Sequence, residues 1–159
     1  MTHNYSLDSE TTTQSEFSPG IVENSELLLR LLFEPEHIVD NLVINTAISI
    51  EDLKSRGLSL DRIKFANKSL INKRIVNQQI KNRKNRKTHC LASFDCKSVR
   101  EIKNDNQVRE LILIDDAIEE NIAHASIYAN AHGKATLRKI RIKLIKLFKN
   151  RYSIENVFN

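Results

Sequence analysis

The sequence predicts a small α+β domain with a short sheet of about three strands, a basic central helix and a basic amphipathic C-terminal helix. Three observations lead there. Residues 108–114 (VRELILI) form an apolar, β-rich run that closes on Asp115 and Asp116. Leu137, Ile140, Leu144, Leu147 and Phe148 recur at helical spacing and draw one apolar face. The strand candidates are not separated by helices of crossover length, so a doubly wound sheet is not expected.

Taken in order, residues 1–20 are polar, hold Asp8, Glu10 and Glu16, and contain no Lys or Arg. They are expected to be a disordered acidic tail, because they offer too little apolar surface to offset the entropy of ordering. They also lack the basic and apolar regions of a secretory signal. A single α+β domain is expected over residues 21–159. Residues 27–33 (LLLRLLF) are a compact apolar run that fits a buried strand or a helix. Residues 38–44 read as a loop or short strand. Ser49 can cap a short helix with Glu51 and Asp52 in its first turn, Arg56 in its last and Gly57 just beyond. Ser59 reads as the cap of a second, longer helix over residues 60–81. Residues 81–88 (KNRKNRKT) hold no apolar side chain and read as an exposed basic loop or frayed helix end. Residues 90–94 read as a strand, and Asp95 as the cap of a short helix through Val99 and Ile102. Residues 103–106 are a turn, and residues 122–129 read as a strand. The final helix is expected from Gly133 to about residue 151.

Composition excludes several classes. No run of about 18 apolar residues exists, so no membrane insertion is expected. Three Gly and two Pro exclude collagen-like and Pro-rich chains. Cys90 and Cys96 are too few for a disulfide scaffold and read as reduced thiols of a cytoplasmic protein. Glycines at 20, 57 and 133 form no phosphate-binding loop, and no G-x-S-x-G is present.

The formal net charge of +5 hides a segregation. Residues 62–94 carry ten Lys or Arg and no acid, and residues 134–159 carry eight against Glu155 alone. The other segments are acidic. Clustered bases neutralise phosphates and release counterions, so the leading expectation is a nucleic-acid-binding accessory protein rather than an enzyme. Its contacts would come from Lys73, Arg74, Lys81, Arg83, Lys84, Arg86 and Lys87, joined by Arg138 and Arg141 of the last helix. Phe65 is the lone ring in residues 62–87, which favours phosphate tracking over base stacking. The plainer reading is a solvated basic surface. If the last helix continued the patch, the two blocks would form one basic face.

Two alternatives are carried. One is an interaction module pairing with an acidic protein partner. The other is a small hydrolase or nuclease centred on Asp116 and His124, with basic residues holding a phosphate substrate. Carboxylates at a strand end beside a His suit acid–base work, though the spacing matches no motif. His124 between two alanines also suits a packed structural role. A zinc reading of His89, Cys90, Cys96, His124 and His132 lacks the usual paired spacings. Neither metal nor cofactor is expected.

Overall fold

The computed structural model describes residues 2–130 and 133–158. Eight strands form among the described residues: β1 (Leu27–Pro35), β2 (Ile38–Val39), β3 (Leu42–Val43), β4 (Leu58–Arg62), β5 (Arg86–Asp95), β6 (Leu111–Asp115), β7 (His124–Ala129) and β8 (Arg151–Tyr152). The α-helices are α1 (Lys68–Lys81), α2 (Cys96–Arg100), α3 (Lys134–Ile145) and α4 (Ile154–Val157). Six strands join in one sheet in the order β6-β7-β4-β1-β5-β8, and every pairing is antiparallel. β2 and β3 make a separate hairpin. Its Asp40 and Asn41 both take positive φ, as a tight two-residue turn requires.

The expected sheet of three strands is therefore corrected to a six-stranded antiparallel sheet with a two-stranded hairpin beside it. The main cause is residues 58–62. Leu58-Ser-Leu-Asp-Arg62 alternates apolar and polar, and Leu58 and Leu60 are buried in the core. That period of two makes a strand. Reading Ser59 as a helix cap hid it. The helix that follows is shorter than expected and starts after Asn67, whose side chain accepts the Leu70 N–H at 3.1 Å. The last helix also ends early, at Ile145, and the chain turns to add β8 as an edge strand beside β5.

Several local expectations match. Asp95 caps α2 by accepting the Ser98 N–H at 2.6 Å. A single wide helical turn spans Asp52–Arg56, and Gly57 follows at φ 88°. Residues 27–33 lie wholly within β1, and residues 124–129 form β7.

The two faces of the sheet are covered differently. Leu28 and Leu32 of β1 pack with Leu58, Leu60, Leu111, Leu113 and Ile127 against Leu137, Ile140 and Leu144 of α3. Leu29 and Phe33, pointing the other way, pack against Ile71 and Ile75 of α1 and Ile154 of α4. Helices α1 and α3 thus lie on opposite faces. At the far end of the α1 face, Tyr5 and Leu7 cover Ile112, Ile114 and Tyr128. Between these two covers the face lies open over β4.

Polar anchors hold residues 3–26 to the sheet. Glu10 accepts the Leu113 N–H of β6 at 2.7 Å and pairs with Arg109 at 2.6 Å and Arg100 at 3.2 Å. Arg62, 2% exposed, takes both carboxylate oxygens of Glu26 at 2.7 and 2.8 Å. It also donates to the carbonyls of Gly20 and Ile21. A guanidinium this deep needs that many acceptors to offset its lost hydration. Among the described residues no helix is long and apolar enough to cross a membrane.

Candidate active site

The sheet is weakest at its centre. β1 pairs with β5 along its length, and β4 pairs with β7, but β1 and β4 meet only at Leu28–Arg62 and Leu29–Asp61. Beyond that point they part. Arg30 spans the gap, donating from Nη1 to the Ser59 carbonyl at 3.0 Å and from Nη2 to the Ala47 carbonyl at 3.3 Å. A cavity of about 410 Å³ opens there. Strands β1, β4 and β7 form its floor, α1 and the start of β5 one wall, and His37 another.

Alternation sets what the floor presents. Ser59 and Asp61 share one face of β4, opposite the buried Leu58 and Leu60. Register sets Asp61 beside His124 and Ser59 beside Ser126 on β7. His124 Nε2 lies 3.3 Å from Ser59 Oγ. Its Nδ1 lies 2.7 Å from Asp116 Oδ1 and 3.3 Å from the Asp116 carbonyl. Ser126 Oγ donates to the other Asp116 oxygen at 2.6 Å, fixing the carboxylate. With Asp116 on Nδ1–H, Nε2 is the free acceptor and faces the serine hydroxyl. Burial works against a charged imidazole here. The hydrogen bonds and charge of Asp116, helped by Asp61, outweigh it and hold His124 above the ordinary histidine value.

Three arginines surround this relay. Arg74 of α1 pairs with Asp61, which also accepts from Asn121 Nδ2 at 2.9 Å. Arg86 is held by Glu36 at 2.8 Å and by the Gln78 carbonyl at 3.1 Å. Among the described residues Arg30 donates only to carbonyls. Burial lowers its pKa to about 10, with the charge of Arg74 acting the same way and Asp52 and Asp61 opposing, so it is still a cation at neutral pH. His37 completes the wall. Its Nδ1 accepts the Phe33 N–H at 2.9 Å, and Nε2 lies 3.2 Å from Glu36. Burial, with Arg30 and Arg86 nearby, takes its pKa down to about 4 against the pull of Glu36. His37 is thus neutral near pH 7 with its proton on Nε2, a donor and not a base.

The nine expected phosphate contacts fall into three groups. Arg74 and Arg86 turn inward and line the cavity. Lys73, Lys81, Arg83, Lys84 and Lys87 stay exposed along α1 and the turn into β5. Arg138 and the half-buried Arg141 sit on α3 across the sheet, so the two basic blocks do not make one face. Asp116 and His124 are brought together. Sequence reasoning missed Ser59, Arg30, Asp61 and His37; the alternation in residues 58–62 was the signal for the first and third. His132 lies outside the described residues. Among those described, no three His, Cys, Asp or Glu side chains gather as a metal-holding group.

Comparison with protein-family models, with curated proteins and with solved structures gives no match.

Proposed function

We propose that the chain is a hydrolase of phosphate esters, with Ser59 as nucleophile, His124 as its base and Asp116 positioning the imidazole. The observation that carries this reading is the line Ser59 Oγ–His124 Nε2, His124 Nδ1–Asp116 Oδ1, at 3.3 and 2.7 Å, opening on an arginine-lined cleft. A serine hydroxyl is a weak nucleophile until a base within hydrogen-bond reach takes its proton, and that base works when a third group fixes its tautomer. Guanidinium groups favour phosphate as the anion, because their planar donors match its oxygens. Arg30, with no carboxylate on it among the described residues, is the group best placed to stabilise charge on the phosphoryl oxygens.

The reaction balances through the serine. Its Oγ bonds to phosphorus as its proton passes to His124 Nε2. The bond to the leaving alkoxide breaks, and His124 returns that proton to the departing oxygen. Water then attacks the phosphoserine, giving a proton to His124, and the Ser59 hydroxyl is restored as the phosphate product leaves.

The test is hydrolysis of bis(p-nitrophenyl) phosphate and p-nitrophenyl phosphate by the full chain. Activity is expected, with loss of about 10³-fold or more in Ser59→Ala and His124→Ala. Variants that fold as the parent and keep its rate would remove the assignment. A chain that cleaves p-nitrophenyl acetate and neither phosphate ester would move it to carboxylic esters.

A further inference from the structure

The corner where α1 runs into β5 carries a second feature. Val76 and Ile80, one turn apart on α1, are 54% and 56% exposed. Together with Gln79, Arg83, Arg86 and Lys87 they line an open depression of about 510 Å³. Arg86 borders both this depression and the cleft. Arg83 and Lys87 of this lining, and Lys81 and Lys84 beside them in the chain, are exposed, and none has a carboxylate within ion-pair reach among the described residues.

We propose that this corner is a track for a phosphodiester backbone, and that the substrate class of the cleft is nucleic acid, its strand held by Lys81, Arg83, Lys84 and Lys87 and handed inward past Arg86. The proposal rests on the phosphate-ester reading of the cleft. Four cations within residues 81–87, uncompensated among the described residues, bind a polyanion by releasing its counterions, which needs no particular sequence. Arg74 and Arg86, in contrast, are already neutralised by Asp61 and Glu36, so the outer four carry the net positive field. The exposed faces of Val76 and Ile80 offer apolar surface for sugars and bases between the phosphate contacts. Among the described residues no aromatic side chain lines the depression, so the contact follows the backbone and not a stack of bases. A membrane fits less well. Two aliphatic side chains in a concave site provide little to bury in lipid, whereas continuity with the cleft gives a strand somewhere to go. The bases of α3 lie on the other face of the sheet and take no part.

The test uses the full chain carrying Ser59→Ala, so that bound strands are not cut, and labelled oligo-U and oligo-dT of about 20 nucleotides in roughly 50 to 300 mM salt. Binding is expected at low salt, weakening steadily as salt rises. Adding Lys81→Glu, Arg83→Glu, Lys84→Glu and Lys87→Glu is expected to weaken it by roughly tenfold or more. In the otherwise native chain these four changes are expected to raise KM for oligonucleotide cleavage and leave turnover of a small phosphate ester unchanged. Absence of oligonucleotide binding, or equal binding by the four-fold variant, would overturn the track. So would stronger binding to phosphatidylserine vesicles than to either strand. If small-ester hydrolysis persists in those cases, the cleft reading survives alone. If instead oligonucleotides bind through the four residues but nothing is hydrolysed, the cleft reading fails, and with it the claim that the strand is a substrate.

Discussion

Ser59 Oγ stands 3.3 Å from His124 Nε2 across the ladder that pairs β4 with β7. The pairing is a consequence of register: Asp61 faces His124 directly, so the serine two residues earlier falls within reach of the same ring. A one-residue slip of β4 would turn both polar side chains into the core and bring Leu58 and Leu60 to the cleft. The hydrophobic pattern of β4 therefore sets the chemistry as well as the strand.

Asp116 acts through His124, and a pH profile reads that role. His124 must be neutral to take the serine proton, so the rate is expected to rise with pH through a midpoint above the usual histidine value. In Asp116→Asn burial remains while the Asp116 charge that opposed it is gone, leaving only the weaker pull of Asp61 and the residue 116 carbonyl. The midpoint is expected to fall and the plateau to drop by about 10²–10⁴-fold. A lower plateau with an unmoved midpoint would give Asp116 a merely structural place.

His37 ties stability to acid. Its folded-state pKa is about 4 against 6.5 for the free side chain, so the unfolded chain takes up a proton first as pH falls. The stabilisation is complete above pH 6.5 and is lost between there and about pH 4. A cost of about 2 kcal/mol over that window is expected, solvent at the cleft mouth reducing the full effect. Urea unfolding at several pH values checks it, since His37→Gln should flatten the dependence. Glu36, Arg30 and Arg86 are the charges facing the ring, and the Glu36→Gln variant separates their pull from that of burial.

Gly57 sits at φ 88°, and a Cβ there would come within 2.8 Å of the Tyr128 ring and 2.9 Å of Ser126 Cβ. Gly57→Ala is expected to destabilise by about 2 kcal/mol or more, from backbone strain and the clash together. Because Ser126 holds Asp116 and Gly57 lies two residues from Ser59, activity is expected to fall more than the folded fraction does. Denaturant unfolding and turnover on the same preparation compare the two losses.

Part of this fold was legible from residue pattern alone. The run that forms β1 fits strand or helix alike, while β6, β7, the cap at Asp95 and the turn ending at Gly57 each carried a local signal strong enough to survive folding. β4 did not, because five residues of alternation compete poorly with a Ser that looks like a helix cap. The site was half legible. Asp116 and His124 stood out as polar residues around an apolar strand end. Arg30 did not, since a lone base inside LLLRLLF gives no hint that two strands will part around it. Charge counting could not tell Arg74 and Arg86, which pair with Asp61 and Glu36, from Lys84 and Lys87, which pair with no carboxylate among the described residues. Those partners lie 13 and 50 residues away, beyond any local window.

Glu26 and Arg62 anchor the N-terminal segment to β4. Burial alone would raise the Glu26 pKa, but Arg62 and the Glu23 turn bring it below its usual value. Glu26→Gln leaves the Arg62 guanidinium buried with its charge unmatched by Glu26. A loss of about 3 kcal/mol is expected, larger than for exposed pairs such as Lys97–Glu101, where the effect should be well under about 1 kcal/mol. Parallel denaturation of Glu26→Gln and Glu101→Gln makes that comparison.

The hydroxyl of Ser59 is the centre of the proposal, and covalent capture interrogates it most directly. The full chain is treated with a fluorophosphonate, digested, and its serines mapped by mass spectrometry. A single adduct on Ser59, formed in step with loss of activity and absent in His124→Ala, is the expected result. An adduct spread over many serines, or none at Ser59 while activity persists, would contradict a serine nucleophile in this cleft.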